Sequence, residues 1–262
     1  MIKATMPLLI AVLTACAVPP APPASTSALS PAQLDRVGRR IWQNECAGTV
    51  EGLTSWNQGE HFASLGIGHF IWYPAGASGP FEESFPPLIA YLQQTGAQVP
   101  NWLLQTPDCP WPDRASFIRD SQSERQRSLR QLLAGTVRQQ TQFIIARLNR
   151  TIPRLASEGG AVAFQSYQVL SQTPEGLFAM IDYINFKGDG LNPAERYNGQ
   201  GWGLAQVLGN MEKATPQEAP AAFANSAKVV LSSRVKNSPP SRNETKWLSG
   251  WHSRCAAYAN PL

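Results

Sequence analysis

Glu45 is the residue whose type and position most strongly suggest chemistry. It continues an apolar stripe at helical spacing that is formed by Leu34, Val37, Ile41 and Trp42. An unpaired carboxylate on a buried helix face is unfavourable, and burial favours its protonated form. A protonated glutamic acid can act as a general acid, which donates a proton to a leaving oxygen. The alternative is a helix-end glutamate that pairs with Arg39 or Arg40, or that points to solvent.

A glycine-rich segment follows Glu45 and ends in a histidine. The string is Ser64-Leu65-Gly66-Ile67-Gly68-His69, and strand-forming residues continue to Tyr73. Glycines between two such runs predict a β-hairpin over about residues 62–73. Two further carboxylates, Glu51 and Glu60, lie between the helix and this hairpin. A pair of carboxylates on either side of one bond is typical of enzymes that break glycosidic linkages.

This arrangement resembles the lysozyme-like superfamily, in which a glutamate ends a helix and a glycine-rich hairpin lines the cleft. Phage-type members carry a string similar to Thr-Ile-Gly-Ile-Gly-His, which Ser64 to His69 match with serine in the threonine place. Glu60 lies nearest to the second acidic position of that motif. Goose-type lysozymes and lytic transglycosylases carry Gly-Leu-Met-Gln instead, and Gly203-Leu204-Ala205-Gln206 is similar to it.

Glu51 is a rival for the role of the acid. Glu51-Gly52-Leu53 resembles the Glu-Gly-Leu that opens the phage-type motif, and the spacing from Glu51 to Glu60 also matches, although the chain is then shorter before the glycines. Gly48, however, predicts that the helix ends before Glu51. We therefore prefer Glu45, which falls on the apolar face.

The resemblance implies an enzyme that cleaves the β-1,4 bond between N-acetylmuramic acid and N-acetylglucosamine in the glycan strands of peptidoglycan, without a cofactor. If Glu60 or Glu51 acts as a base or nucleophile, the reaction is hydrolysis, and the separation of the carboxyl groups indicates its stereochemistry. If only Glu45 is near the bond, attack by the muramic 6-hydroxyl gives an anhydro product. The catalytic candidates are therefore Glu45, Glu60 and Glu51.

Candidate substrate-binding residues lie in the hairpin and in a later segment rich in polar and aromatic side chains. They are Ser64, His69, Trp72, Tyr73, Asn185, Lys187, Asn198, Gln200, Trp202 and Gln206. Trp72 and Tyr73 could stack on sugar rings or belong to the core. His69 could contact the substrate or fix the hairpin through a hydrogen bond.

The beginning of the chain predicts export. A basic Lys3 precedes an apolar stretch that is too short to cross a bilayer, so residues 1–15 are typical of a signal peptide. Leu13-Thr14-Ala15-Cys16 resembles the lipobox of bacterial lipoproteins, in which the cysteine is acylated; the alternative is an ordinary signal peptide. Ala17 resembles the pattern for the outer membrane. We expect an outer-membrane lipoprotein facing the periplasm, or a secreted protein.

Composition shifts divide the rest of the chain. Residues 16–29 combine the cysteine with a proline-rich segment that predicts an extended tether. Residues 30–262 are enough for one catalytic domain. The net charge of +4 is compatible with an anionic wall polymer and too small to indicate nucleic acid. We expect a monomer whose partners are peptidoglycan and, through its lipid, the membrane.

Three cysteines follow Cys16: Cys46, Cys109 and Cys255. An exported compartment permits one disulfide and leaves one thiol, and the sequence does not select the pair. No cysteine or histidine spacing is typical of a metal site. A competing hypothesis is a cysteine hydrolase of peptide crosslinks that uses Cys46 and His69, but the C-terminal end of a helix raises a thiol pKa. A third is a lipoprotein that binds the glycan without cleaving it.

The elements that must position these residues are mostly helical. Ser30 and Pro31 predict the start of the first helix. The predicted helices cover about residues 30–45, 83–95, 121–133, 136–155, 161–171, 173–184, 216–235 and 244–258. The expected fold is α+β, a predominantly helical lysozyme-like fold with one small β-hairpin.

The lipobox generates the first testable prediction. Cys16→Ser should prevent acylation, so the protein should be lost from the detergent-soluble membrane fraction, as measured by fractionation and by the mass of the intact protein. Unchanged fractionation, together with no acyl mass on the wild type, would remove the lipoprotein hypothesis.

Overall fold

The computed structural model describes residues 29–79, 81–158 and 160–262. The signal segment, Cys16 and the rest of the tether up to residue 28 lie outside these residues. Within them are eleven α-helices: α1 (Pro31–Cys46), α2 (Phe85–Gln94), α3 (Asn101–Leu104), α4 (Arg114–Arg119), α5 (Glu124–Gly135), α6 (Val137–Glu158), α7 (Gly160–Leu170), α8 (Pro174–Lys187), α9 (Leu204–Gly209), α10 (Ala219–Asn237) and α11 (Thr245–Ala256). None of the described helices combines the length and apolar character needed to cross a membrane.

One small antiparallel sheet follows α1. Its strands are β1 (Thr54–Ser55), β2 (Ala63–Leu65) and β3 (Phe70–Trp72), in the order β1-β2-β3. The predicted hairpin is therefore present as β2 and β3. The predicted class, a predominantly helical α+β fold, is confirmed. The third strand, β1, was not predicted, because two residues are too few for an alternating pattern.

The first helix begins and ends where its local chemistry requires. The Ser30 hydroxyl accepts the backbone N–H of Gln33, and the Gln33 side chain accepts the backbone N–H of Ser30, which caps the free donors of the first turn. At the other end Ala47 adopts a left-handed conformation, with φ 52°. Glu45 and Cys46 therefore occupy the last turn of α1.

A buried glutamine of α6 fixes the hairpin turn. Gln140 is fully buried; its Oε1 accepts the backbone N–H of Ile67 at 3.0 Å, and its Nε2 donates to the Leu133 carbonyl at 2.6 Å. Gly66, at φ +68°, passes so close that an added Cβ would lie 2.4 Å from Gln140 Oε1. The turn that carries His69 is thus held by a polar contact inside the core.

Helix α8 lies at the centre of the helical part. Every residue from Gly176 to Tyr183 is buried, and α8 packs against α6, α7 and α10. The last helix, α11, and the short 3-10 helix Ala257–Ala259 pack on α10. This packing brings the end of the chain next to α8.

The cysteines of the described residues form no disulfide, although an exported compartment would permit one. Cys46, Cys109 and Cys255 are all buried free thiols. Cys46 Sγ lies 3.5 Å from the Gly66 carbonyl and Cys109 Sγ lies 3.7 Å from the Trp111 carbonyl, while Cys255 is buried on α11. Each thiol therefore occupies its own position in the core and needs no partner.

The approach of Gly66 to Gln140 predicts a site-specific loss of stability. Gly66→Ala should lower the free energy of unfolding by about 1–3 kcal/mol more than Gly76→Ala, because overpacking adds to the backbone cost. Gly76 is the matched control, since its φ is +73° but an added Cβ there meets nothing within 4 Å. Urea denaturation followed by circular dichroism measures the difference. Equal losses would show that the close contact is unimportant.

Candidate active site

The carboxylate of Glu45 is the meeting point of four elements. His69 reaches it from the hairpin turn, with Nδ1 3.5 Å from Oε2. Asn185 of α8 donates from Nδ2 to Oε1 at 3.4 Å, and Arg254 of α11 donates from Nη2 to the same oxygen. The Glu45 side chain is 11% exposed and that of His69 29%, so the site opens to solvent on the His69 side.

A second carboxylate, Asp182, completes the arrangement. It is fully buried and binds Arg254 through two contacts, Nε to Oδ2 at 2.9 Å and Nη2 to Oδ1 at 3.0 Å. It also accepts the Tyr258 hydroxyl at 2.7 Å and the Asn44 amide at 3.1 Å. We call Glu45, His69, Asp182, Asn185 and Arg254 the Glu45 cluster.

Sequence reasoning missed Asp182 and Arg254. Asp182 had one signal, since it is an acidic residue within the apolar run of α8 between Ile181 and Tyr183. Arg254 had none, because its partner lies 209 residues away. The alternative interpretation of Glu45 as an ion-paired residue is correct in kind, but within the described residues its arginine partner is Arg254 and not Arg39 or Arg40.

One guanidinium is shared by two carboxylates in this cluster. Burial lowers the pKa of Arg254, but the charges of Asp182 and Glu45 outweigh burial and raise it above its usual range. Burial, followed by the charge of Asp182, also raises the pKa of Tyr258 well above its usual value. Arg254 therefore stays protonated, and the Tyr258 hydroxyl remains a hydrogen-bond donor.

The other two predicted catalytic carboxylates lie elsewhere. Glu51 is exposed at the first residue of the 3-10 helix Glu51–Leu53. Glu60 follows β1 in the loop before β2, and its Oε2 accepts the Asn57 amide at 3.1 Å. Within the described ranges, neither carboxylate forms a hydrogen bond or an ion pair with the Glu45 cluster. The expectation that Glu60 or Glu51 faces Glu45 as a second acid has no support in the contacts.

The hairpin aromatics Trp72 and Tyr73 belong to the core, which is the second of the two alternatives that the sequence left open. Trp72 is 1% exposed; its indole N–H donates to the Pro107 carbonyl at 3.0 Å, and its ring packs against Phe85. Tyr73 is buried too, with its hydroxyl donating to the Phe81 carbonyl. Ser64 is likewise buried, in the central strand β2. Their side chains therefore face the protein interior, where a glycan cannot reach them.

The later predicted segment is divided between structural and exposed residues. Gln206 accepts the Gly203 N–H and donates to the Gly190 carbonyl, both at 2.9 Å, which makes it a loop-holding residue. Trp202 is buried beneath the Arg234 guanidinium, 4.2 Å from its ring centroid.

Asn198 and Gln200 are exposed and contact α10. The Asn198 amide donates to Asn237 at 3.0 Å, and Gln200 Oε1 accepts the Ser233 hydroxyl at 2.6 Å. In the described part of the chain, none of these contacts includes a member of the Glu45 cluster. Of the substrate-binding candidates, His69 and Asn185 are thus the two that the structure brings to Glu45.

Lys187 lies beside the cluster, separated from it by one aromatic ring. The ring of Phe186 carries the Arg254 guanidinium at 4.1 Å and the Lys187 ammonium group at 4.0 Å from its centroid. Trp251 of α11 covers the same amine at 3.6 Å.

Cys46 is not positioned as a nucleophile. Its thiol is buried against the Gly66 carbonyl, and burial, followed by the charge of Glu45, raises its pKa to about 12. The thiolate is the reactive form, so this environment suppresses it. The contacts therefore count against the cysteine hydrolase hypothesis.

Comparisons with known proteins give no match for this chain among protein-family models, curated proteins or solved structures.

The shared guanidinium predicts a large effect of removing it. Arg254→Met should lower the free energy of unfolding by about 3–5 kcal/mol, because Asp182 is left as an uncompensated buried charge. The matched control is Arg138→Met, which breaks a similar two-point pair with Asp35 at the surface and should cost much less. Chemical denaturation measures both. Similar losses would show that the buried pair is not a special support of the fold.

Proposed function

We propose that this protein cleaves peptidoglycan glycan strands between N-acetylmuramic acid and N-acetylglucosamine, with Glu45 as the general acid. The observation that carries the proposal is the position of Glu45. Its carboxyl group ends a helix beside a glycine-rich hairpin, is nearly buried, and is oriented by Asn185 and Arg254. Two fixed donors on one oxygen hold the other oxygen, Oε2, towards His69 and the opening of the site.

Glu45 is the carboxyl group of the cluster that has access to solvent. Asp182 receives two hydrogen bonds from Arg254 and one each from Tyr258 and Asn44, and it is fully buried. Glu45 shares the same guanidinium through one contact, and its side chain is 11% exposed. Unequal environments of this kind separate the roles of two neighbouring carboxyl groups.

The proposed reaction uses Glu45 twice. Protonated Glu45 donates its proton to the glycosidic oxygen as the bond from that oxygen to muramic C1 breaks. The resulting carboxylate then accepts the proton of the muramic 6-hydroxyl while the 6-oxygen bonds to C1, which closes an anhydro ring and restores the acid. This transglycosylation needs a single carboxyl group at the bond, which agrees with the positions of Glu51 and Glu60 away from the Glu45 contacts.

The proposed location in the cell envelope rests on the lipobox that ends at Cys16. Acylation of Cys16 would hold the enzyme on the periplasmic face of the outer membrane, and the proline-rich tether would let the catalytic domain reach the wall. The substrate is the glycan strand itself.

The ion pair between Glu45 and Arg254 favours a second candidate, a lipoprotein that binds the glycan without cleaving it. A permanent pair would keep Glu45 ionised, and the carboxylate would then serve only as a hydrogen-bond acceptor for sugar hydroxyls. The two functions differ in whether the protonated form of Glu45 is required.

Substitution of Glu45 distinguishes these functions. Glu45→Gln keeps the shape and can still accept hydrogen bonds but cannot supply a proton, so the rate of cleavage should fall by about 10²–10⁴ while glycan binding survives. The measurement is mass spectrometry of fragments released from purified sacculi by the full chain, where anhydro ends identify transglycosylation. Glu51→Gln is the matched control and should cost far less.

Three outcomes would contradict this assignment in different ways. If the two variants exchange phenotypes, Glu51 is the acid and the phage-type alignment is correct. If both release fragments at the wild-type rate, neither glutamate is the acid and the lysozyme-like proposal is wrong. If wild type binds sacculi but releases nothing, the binding function is the correct one.

A further inference from the structure

Lys187 is a half-buried amine to which the described residues supply no counter-ion. It is the last residue of α8, two residues after Asn185, and its Nζ lies 4.0 Å from the Phe186 ring centroid and 3.6 Å from that of Trp251. Among the described residues, Nζ forms no hydrogen bond and no ion pair. Aromatic faces attract a cation but satisfy none of its three N–H donors.

The carboxylates around Lys187 are already engaged by other cations. Asp182 holds Arg254. Glu244, which is almost fully buried, receives two hydrogen bonds from Arg234 at 2.8 Å, and Arg242 lies 3.5 Å from it. Each of the two buried arginines thus has a partner, and the amine of Lys187, which lies between Phe186 and Trp251, has no carboxylate partner among the described residues.

The surface next to Lys187 is suited to a sugar ring. Trp247 is 45% exposed and stacks on Trp251, with ring centroids 6.1 Å apart and planes at 29°. These two residues lie one turn apart on α11, so their rings form one continuous aromatic surface. An anionic group at Lys187 and an apolar sugar face at Trp247 together describe an acidic sugar.

We propose that the Lys187 ammonium group binds the free lactyl carboxylate of an N-acetylmuramic acid residue that carries no stem peptide, while Phe186 and Trp251 hold the amine in place. This inference rests on the proposed function for the identity of the sugar. It adds that recognition of a peptide-free muramic residue, rather than of N-acetylglucosamine or of a muramic residue that carries a peptide, depends on a single amine one ring away from the Glu45 cluster.

The charges that face the amine give the binding a pH dependence. Burial, then the neighbouring cations Arg234 and Arg254, lower the pKa of Lys187 to about 7, whereas Glu244 and Cys255 act in the opposite direction. A bound carboxylate favours the charged amine and therefore raises this pKa. Affinity for the acidic sugar is then highest below pH 7 and falls as the pH rises above it, because binding must first protonate the amine.

The test follows Lys187 directly, by carbon NMR of its side chain in the full chain labelled at lysine. The probes are N-acetylmuramic acid and N-acetylglucosamine, and the spectrum of Lys187→Met assigns the signal. We expect N-acetylmuramic acid to raise the titration midpoint of Lys187 by about one pH unit, which corresponds to about tenfold tighter binding to the charged amine. N-acetylglucosamine should leave the midpoint unchanged. A midpoint unaffected by N-acetylmuramic acid, or moved equally by both sugars, overturns the proposal.

Matched variants separate charge from packing. Lys187→Arg keeps a permanent charge and should retain the preference for N-acetylmuramic acid but lose its dependence on pH between 6 and 8. Lys246→Met removes another lysine of α11, whose Nζ lies 4.5 Å from the Trp247 ring centroid. This variant should change neither the preference for N-acetylmuramic acid nor its dependence on pH. If Lys246→Met loses the preference and Lys187→Met keeps it, the amine that binds the carboxylate is that of Lys246, and the proposal is overturned.

This test does not measure cleavage, so the two proposals fail separately. Full cleavage by Glu45→Gln and Glu51→Gln would end the assignment of the acid and leave the response of Lys187 to N-acetylmuramic acid intact. An unresponsive Lys187 in a protein that still cleaves sacculi would end only the proposal for sugar recognition.

Discussion

The sharing of one guanidinium between two carboxylates is the interaction on which the rest of the structure depends. Asp182 is completely buried, and an ionised carboxylate is tolerated there only with a cation and further donors. Arg254 supplies the cation, and Tyr258 and Asn44 supply the donors. Because Glu45, Asp182 and Arg254 belong to α1, α8 and α11, the same contacts that stabilise the core also set the relative position of three helices. The contacts that form the candidate site are therefore also contacts that hold the core together.

A second polar contact positions the remaining member of the site. Gln140 places donors and acceptors inside the core at the point where the hairpin turns, and the turn holds His69 in a left-handed conformation with φ 47°. A non-glycine residue keeps such a conformation only where its surroundings fix it. His69 faces Glu45 because α6 holds the turn from behind.

Local signals in the sequence predicted the parts of the site that are made locally. The capping residues of α1 and the glycines from Gly66 to Gly68 place Glu45 and His69 correctly, since caps and turns depend on a few neighbouring residues. The short helices α3, α4 and α9 went unpredicted, because four to six residues are too few to show a helical period.

Contacts between distant elements were beyond prediction from one sequence. Arg254 carries no local mark of its partner, and alternation within β3 does not reveal that Trp72 faces the core rather than the cleft. The polar and aromatic surroundings of Lys187 and Asn185 in the sequence do not show that the folded chain places Lys187 over Trp251 and Asn185 against Glu45. The fold class and the first helix could therefore be predicted from short-range rules. The charge pairing could not, because it forms only in the completed fold.

The separation of Glu45 and Arg254 along the chain has a consequence for when the site comes into existence. The two residues are 209 positions apart, so their contact belongs to the least local class and its closure follows that of local turns and helices. A chain in which α1 and the hairpin have already formed still presents Glu45 without Arg254, and Asp182 without its counter-ion. The arrangement proposed for catalysis thus exists only where α11 has docked, and folding of the first part of the domain alone does not produce it.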